Sequence, residues 1–240
     1  MLSTDQLNYC LHTISPNAFF LMVLHSMERK WGLSVVRAAD GERKLLEHCR
    51  NFPPETQLFP FGGLTTEWFK KYGIDGITTG ELKRRIEDAV TMCTYFAPSI
   101  SGIRLPHYNT YYMAPTRLYY VDNFFPNLWS EEQKVELFQK AGRVTFVHGD
   151  RKLADAMQKR AKEYYGVAVS YLPLTCWQES EDVIAKANKI ASPLTIFSGG
   201  PASKYIGPRI TGVTLDIGAA AYRWSFLPEY ERRKKDAVQG

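Results

Sequence analysis

The second half of the chain alternates short apolar segments with helical segments, and this alternation constrains the fold more than any other feature. The segments with strand character are Arg143–His148, Val167–Leu172, Leu194–Phe197 and Val213–Ile217, and the helical segments between them are Leu153–Tyr164, Glu181–Ile190 and Ala202–Ile206. Parallel strands need long crossover connections, which helices usually supply. The alternation therefore predicts an α/β fold with a mostly parallel sheet and helices on both faces.

The first half is less regular. Leu33–Ala38 is rich in β-branched residues and predicts a strand, and Arg43–Cys49 predicts a helix. Residues 51–76 are rich in Pro, Gly and aromatic residues and predict an irregular loop with a short helix near its end. Thr79–Phe96 places apolar residues at helical spacing and predicts one long helix, and Ser130 starts a capping-box sequence for another.

Three regions follow from these assignments. We predict an N-terminal helical segment at residues 1–30, broken at Ser15-Pro16 because proline cannot continue a helix interior. Residues 31–228 form the α/β domain, and residues 229–240 form a basic tail that we predict to be disordered.

Composition narrows the cellular setting and the type of ligand. A net charge of +5 fits an anionic ligand such as a nucleotide diphosphate, or a polyanionic partner, although the basic tail contributes part of it. The four cysteines form no CxxC pair, so neither a zinc site nor a disulfide framework is indicated. The apolar run Ala18–Leu24 is too short to span a bilayer and lacks signal-peptide features. We predict a cytoplasmic protein with no membrane span.

The segment Asp40-Gly41-Glu42 directly follows the first predicted strand. A sharp turn at the glycine would let both carboxylates project to one side, where hard oxygen ligands suit Mg²⁺ or Mn²⁺. The alternative is that Asp40 caps the next helix while Glu42 complements the helix dipole.

A second strand ends in two glycines and a proline, a pattern that favours an anion pocket at the start of a helix. The candidate phosphate-binding residues are Ser198, Gly199, Gly200, Pro201, Ser203 and Lys204. The segment has neither GxGxxG nor Walker spacing, so it is no standard dinucleotide or P-loop signature, and a plain tight turn is the alternative.

Two further strand ends carry titratable residues. Asp216 ends the last strand, while His148 and Asp150 follow the strand Arg143–His148. We expect all three at the same edge of the sheet, as ligands or catalytic groups, with capping or structural roles as the alternatives.

Two blocks of the sequence resemble a known family. Ser34–Glu42 reads S-V-V-R-A-A-D-G-E and resembles the S-V-x-R-x-G-D-G-E segment of GT-D-type glycosyltransferases. Leu194–Lys204, followed by Leu215-Asp216-Ile217-Gly218, resembles the closing G-P…D-I-G-H region of that family. Two positions depart from the family pattern: Ala39 stands where the family usually has glycine, and Ala219 stands where it has histidine.

The resemblance implies a Rossmann-like fold in which a D-x-E motif holds a divalent cation and a nucleoside-diphosphate sugar. By this resemblance, Asp40 and Glu42 are the expected ligands of the metal ion, Mn²⁺ or Mg²⁺. Arg37 and Gly41 match the same block and are assigned to donor binding. The expected reaction is transfer of the sugar to an acceptor hydroxyl, with Asp150, Asp216 or His148 as candidate base.

Several alternatives remain open at the sequence level. The acceptor is a glycan or glycoprotein by family resemblance, or a hydroxymethylated base in DNA, which the net charge and the aromatic segments Tyr108–Tyr112 and Tyr119–Phe125 suggest. A non-catalytic nucleotide-binding protein is a second class, suggested by Ala219. A nicotinamide-dependent oxidoreductase is disfavoured by the absent GxGxxG. Homodimerisation is left open.

Overall fold

The computed structural model of the chain describes residues 12–38, 40–98 and 120–225, and its centre is one parallel sheet of eight strands. The strand order is β1-β4-β3-β2-β8-β7-β5-β6. The strands are β1 (Thr13–Ile14), β2 (Leu33–Ala38), β3 (Tyr95–Pro98), β4 (Tyr120–Val121), β5 (Arg143–His148), β6 (Ala168–Pro173), β7 (Leu194–Phe197) and β8 (Val213–Asp216). The prediction of a Rossmann-like α/β fold is confirmed.

Helices cover both faces of the sheet. On one face lie α1 (Pro16–Arg29), α5 (Phe125–Leu128), α6 (Glu131–Ala141), α7 (Arg151–Arg160) and α10 (Ala220–Ser225). On the other face lie α2 (Asp40–Arg50), α3 (Thr66–Lys71), α4 (Thr79–Met92), α8 (Ser180–Ile190) and α9 (Gly200–Ile206). A π-helical turn, Ala161–Tyr165, continues α7.

Adjacent residues of the central strands pack in two separate hydrophobic cores, because successive side chains of a strand point to opposite faces of the sheet. Val35 belongs to the core under α1 and α10, and Val36 belongs to the core under α2 and α4. Both side chains are fully buried. This two-sided burial explains why the strands read as continuous apolar runs.

The boundary between β2 and β8 is the topological switch point of the sheet. The chain leaves β2 into α2 on one face and leaves β8 into α10 on the opposite face. Parallel α/β sheets bind ligands where the connections diverge in this way. The two strands are in register, with Val35 opposite Leu215.

Several of the predicted element boundaries are wrong, among them the following three. The helix predicted for Thr79–Phe96 ends at Met92, since the chain becomes extended at Cys93 and Tyr95–Pro98 pairs with β2 as strand β3. The helix predicted to begin at Arg43 begins at Asp40, so Asp40, Gly41 and Glu42 form its first turn rather than a loop. The last strand ends at Asp216 rather than at Ile217.

The N-terminal helix begins where proline predicts. Ser15 caps α1, its Oγ accepting a hydrogen bond from the Ala18 N–H at 3.3 Å. Phe19 and Phe20 of α1 are buried in the same core as β5 and β8. The predicted basic tail, 229–240, lies outside the described residues.

Candidate functional site

Four charged side chains lie close together at the carboxyl end of the β2–β8 switch point and form one network, which we call the ion cluster: Arg37, Glu42, Lys204 and Asp216. Lys204 Nζ lies 2.5 Å from Asp216 Oδ2 and 3.6 Å from Glu42 Oε1. The Asp216, Lys204 and Glu42 side chains are all buried. The cluster joins residues from β2, α2, α9 and β8.

Asp216 is the anchor of the ion cluster. Its Oδ2 also accepts a hydrogen bond from the Arg37 N–H at 3.0 Å, and its Oδ1 accepts one from the Gly218 N–H at 3.1 Å. The residue is 0% exposed. Both oxygens are therefore engaged, and no part of the carboxylate faces solvent.

Lys204 stays protonated at neutral pH. Burial by itself lowers the pKa of its ammonium, but the Asp216 and Glu42 carboxylates outweigh burial and hold that pKa above its ordinary value. Lys204 is thus a fixed positive charge between two carboxylates. Because α9 begins just after the carboxyl end of β7 and Lys204 lies near the start of that helix, the charge sits near the carboxyl edge of the sheet.

Arg37 is held by Asn123, a residue that the sequence did not suggest. Arg37 Nε and Nη2 donate to Asn123 Oδ1 at 3.1 and 2.7 Å, and Nε also donates to the Asn123 carbonyl at 3.0 Å. Asn123 Nδ2 in turn donates to the carbonyls of Ala97 and Ala38 at 2.7 and 3.3 Å. Burial lowers the pKa of Arg37, and the charges of Asp216 and Glu42 oppose that shift.

The glycine-rich turn between β7 and α9 uses its own hydroxyl groups. Ser198 Oγ donates to the Gly218 carbonyl at 2.6 Å. Ser203 Oγ accepts from the Gly199 N–H at 3.1 Å and donates to the Gly200 carbonyl at 2.8 Å. These bonds stiffen the turn and tie it to the end of β8, with Pro201 in the first turn of α9. The predicted phosphate contacts of these residues remain a prediction.

The predicted metal pair is only partly described. Glu42 lies in the first turn of α2 with its carboxylate in the ion cluster, while the Asp40 side chain falls outside the described part of the chain. Carboxylate oxygens suit Mg²⁺ or Mn²⁺, but the cation next to Glu42 in this arrangement is the Lys204 ammonium. No cluster of three or more metal-binding side chains occurs among the described residues.

Two aromatic side chains, Trp68 in α3 and Tyr72 at its C-terminal cap, lie near the ion cluster, and neither was predicted as a site residue. The Trp68 and Tyr72 rings are 4.3 Å apart between centroids. A Cβ built on Gly41 would lie 3.5 Å from the Trp68 ring, and one built on Gly200 would collide with Tyr72. The aromatic richness of residues 51–76 was the one available signal, but composition does not reveal which rings reach the strand ends.

His148 and Asp150 lie at the same edge but two strands away from β8, at roughly 10 Å for a strand spacing of about 4.8 Å. His148 Nδ1 accepts a hydrogen bond from the Asp150 N–H at 2.8 Å. Asp150 caps α7, its Oδ1 accepting from the Lys152 N–H at 2.8 Å. Asp150 therefore has the capping role considered as its alternative, and it remains solvent-exposed.

Comparison with protein-family models, curated proteins and solved structures gave no match. Within the described ranges, no helix combines the length and apolar character needed to cross a membrane. The aromatic segment Tyr108–Tyr112 and residue Tyr119 lie outside the described residues.

Proposed function

We propose that this chain is a glycosyltransferase that moves a sugar from a nucleoside-diphosphate sugar to an acceptor hydroxyl. One observation carries the proposal: the two sequence blocks that resemble GT-D glycosyltransferases meet around a single ammonium group. Arg37 and Glu42 come from the first block, and Lys204 and Asp216 come from the second. They meet at the topological switch point of the sheet, and α/β folds commonly bind nucleotides at such points.

The charges of the cluster suit an anionic donor. A departing nucleoside diphosphate carries negative charge that fixed positive groups stabilise without reorganising during the reaction. Arg37 and Lys204 are held by hydrogen bonds and ion pairs before any ligand arrives. Their positions support donor binding, with the backbone of the Gly199-Gly200 turn close by.

A divalent cation, Mn²⁺ or Mg²⁺, remains part of the proposal. Asp40 and Glu42 would hold it, and when bound it would neutralise charge on the diphosphate. The Lys204 ammonium is already paired with the Glu42 carboxylate. A metal ion could bind Glu42 only if the carboxylate contacted both cations or the ammonium moved away.

The acceptor hydroxyl requires a base. Asp150 and His148 fit this role better than Asp216, because Asp216 is fully enclosed and its oxygens are occupied. The side chain of Asp150 is exposed at the carboxyl edge of the sheet.

The test begins with the donor. A thermal-shift panel of nucleoside diphosphates and their sugar conjugates, with Mn²⁺, Mg²⁺ or EDTA, is expected to yield at least one stabilising donor. Donor hydrolysis or transfer is then measured for Asp40→Asn combined with Glu42→Gln. Glu55→Gln combined with Asp75→Asn is the matched control, because both residues are exposed and the charge change is equal. Wild-type activity in the Asp40/Glu42 variant would remove the proposed metal site.

A non-catalytic nucleotide-binding protein is the second candidate. It is favoured by the hydrogen bonds of the candidate groups, since the side chains of Asp216, Ser198 and Ser203 are all bonded to other groups of the protein. Tight nucleotide binding without release of nucleotide from any donor sugar would favour this candidate over the enzyme.

The acceptor class is a separate question. A glycan or glycoprotein is the acceptor that the family resemblance implies, and a hydroxymethylated DNA base is the alternative. Proteins that act on DNA bind its phosphates with an affinity that falls steeply as salt rises. Failure to bind duplex DNA even at low salt would eliminate the DNA acceptor.

A further inference from the structure

The aromatic pair Trp68 and Tyr72 spans the gap between two helix starts at the carboxyl edge of the sheet. The Trp68 ring rests over Gly41, in the first turn of α2 after β2, and the Tyr72 ring rests on Gly200, the first residue of α9 after β7. Since β8 lies between β2 and β7, the pair crosses the end of the strand that carries Asp216.

The pair is built rigidly into the fold. Thr65 caps α3, accepting a hydrogen bond from the Trp68 N–H at 3.2 Å. After Tyr72, the Gly73 carbonyl accepts a hydrogen bond from the Trp177 N–H at 2.7 Å. Gly73 has a φ of +64° and would collide with Cys176 if it carried a Cβ. Both ends of the aromatic segment are therefore fixed before any ligand binds.

The rings keep an accessible surface beside the charged groups. Trp68 and Tyr72 are both only half-buried. Tyr72 is close enough to Glu42 and Lys204 for their charges to act on its phenol, whose pKa is raised chiefly by burial. A flat hydrophobic surface thus adjoins the ion cluster, whose two cations, Arg37 and Lys204, could attract the phosphates of a ligand that also has a flat ring.

We infer that Trp68, supported by Tyr72, is the surface on which the nucleobase of the donor stacks. This inference rests on the proposed function. Aromatic side chains accept any base because every base has a π-face, so the stack would supply affinity while other contacts choose the base. The sugar of the donor is the competing occupant, and the experiment below separates the two.

Affinities are measured by titration calorimetry for uridine, adenosine and guanosine 5′-diphosphates, for pyrophosphate and for glucose 1-phosphate. For the nucleoside diphosphate that binds best, Trp68→Leu is expected to weaken binding roughly 5- to 150-fold, the range for losing one base stack. Pyrophosphate and glucose 1-phosphate affinities are expected to stay unchanged. Trp68→Phe keeps an aromatic face and is expected to retain most of the affinity.

Trp31→Leu is the matched control. Trp31 is 58% exposed and precedes β2, so it lies at the opposite edge of the sheet. It is expected to leave every affinity unchanged. Circular dichroism and melting temperature establish that each variant is folded. If Trp68 contacts the base, part of the tryptophan fluorescence that the nucleotide quenches in the wild-type protein should be lost in Trp68→Phe.

The outcomes are distinct. Nucleoside-diphosphate binding that is unchanged in Trp68→Leu overturns the stacking role while leaving the proposed function standing. A loss confined to glucose 1-phosphate assigns the rings to the sugar and overturns the base assignment. A wild-type protein that binds none of the nucleoside diphosphates refutes the proposed function, and the inference with it.

Discussion

Replacement of Lys204 by methionine tests how much the ion cluster contributes to stability. The change keeps an unbranched side chain of similar length but removes the ammonium, leaving Asp216 and Glu42 buried without their shared counter-ion. Removing one partner of a buried ion pair typically costs about 3–5 kcal/mol, because the remaining charge loses its compensation. Asp216 is 0% exposed, so water cannot replace the lost partner, and we expect a cost within this range.

The assay is equilibrium unfolding in urea. For a slope of roughly 2–3 kcal/mol per molar, the expected cost lowers the midpoint by about 1–2 M. Lys186→Met is the control: Lys186 pairs with Asp182 on an exposed helix face, where such pairs contribute at most about 1 kcal/mol. In a double-mutant cycle with Asp216→Asn, the two changes are expected to be non-additive, since they share one interaction.

The pH dependence adds an independent check. The pKa of Lys204 is raised in the folded protein, so its contribution is fully present below the ordinary lysine value of 10.5 and is lost as pH rises through the folded value. The difference between wild type and Lys204→Met should therefore be constant around neutrality and shrink at strongly alkaline pH. A Lys204→Met cost below about 1 kcal/mol at neutral pH would refute the reasoning, as buried charges cannot be left uncompensated so cheaply.

Three further predictions concern single positions. Gly200→Ala should lower the free energy of unfolding in urea by roughly 2–5 kcal/mol, because the left-handed backbone is strained and the new Cβ collides with the Tyr72 ring. The control Gly142→Ala has a similar φ but open space around it, so it should cost only about 1–2 kcal/mol. Burial lowers the pKa of His48, so the free energy of unfolding should fall as pH drops from about 7 to about 5. The fall should be smaller in His48→Leu and as large as in wild type in the control His25→Gln, whose histidine is exposed. A fall in His48→Leu equal to that of wild type would contradict this. Asp150→Asn keeps a good helix cap, so the free energy of unfolding should stay within about 0.5 kcal/mol of wild type. A roughly 10²- to 10⁴-fold loss of the sugar-transfer rate in this variant would identify Asp150 as the base, and an unchanged rate would exclude it.

The regular half of the fold was predictable because its strands are bounded by turns and its helices carry clear periodicity. Strand β3 was not, because Cys93 and Phe96 continue the helical spacing of α4 and the sequence gives no local reason to stop. Pairing of Phe96 with Val36, distant in sequence, decides the conformation. Strands β1 and β4 have two residues each, too short for a periodic signal.

The candidate site was predictable only residue by residue. Position at or just after strand ends pointed to Lys204 and Asp216, and the family resemblance pointed to Arg37, yet no pattern revealed that Lys204 joins Asp216 to Glu42. Asn123 was missed because its role depends on three partners on two strands, β2 and β3, which a single sequence does not bring together.

The central position of β2 and β8 has a consequence for folding. The hydrogen bond from Arg37 to Asp216 spans 179 positions of the chain, and β2 pairs with β8 in the middle of the sheet. Contacts of such long sequence separation form late and slowly, because the intervening loop must first be closed. During synthesis β2 therefore has an open, apolar edge until the last strand emerges, and this edge is where chaperone binding or aggregation of incomplete chains is expected. The candidate site would then be assembled in the last step of folding, so a chain that has completed its fold has also assembled that site.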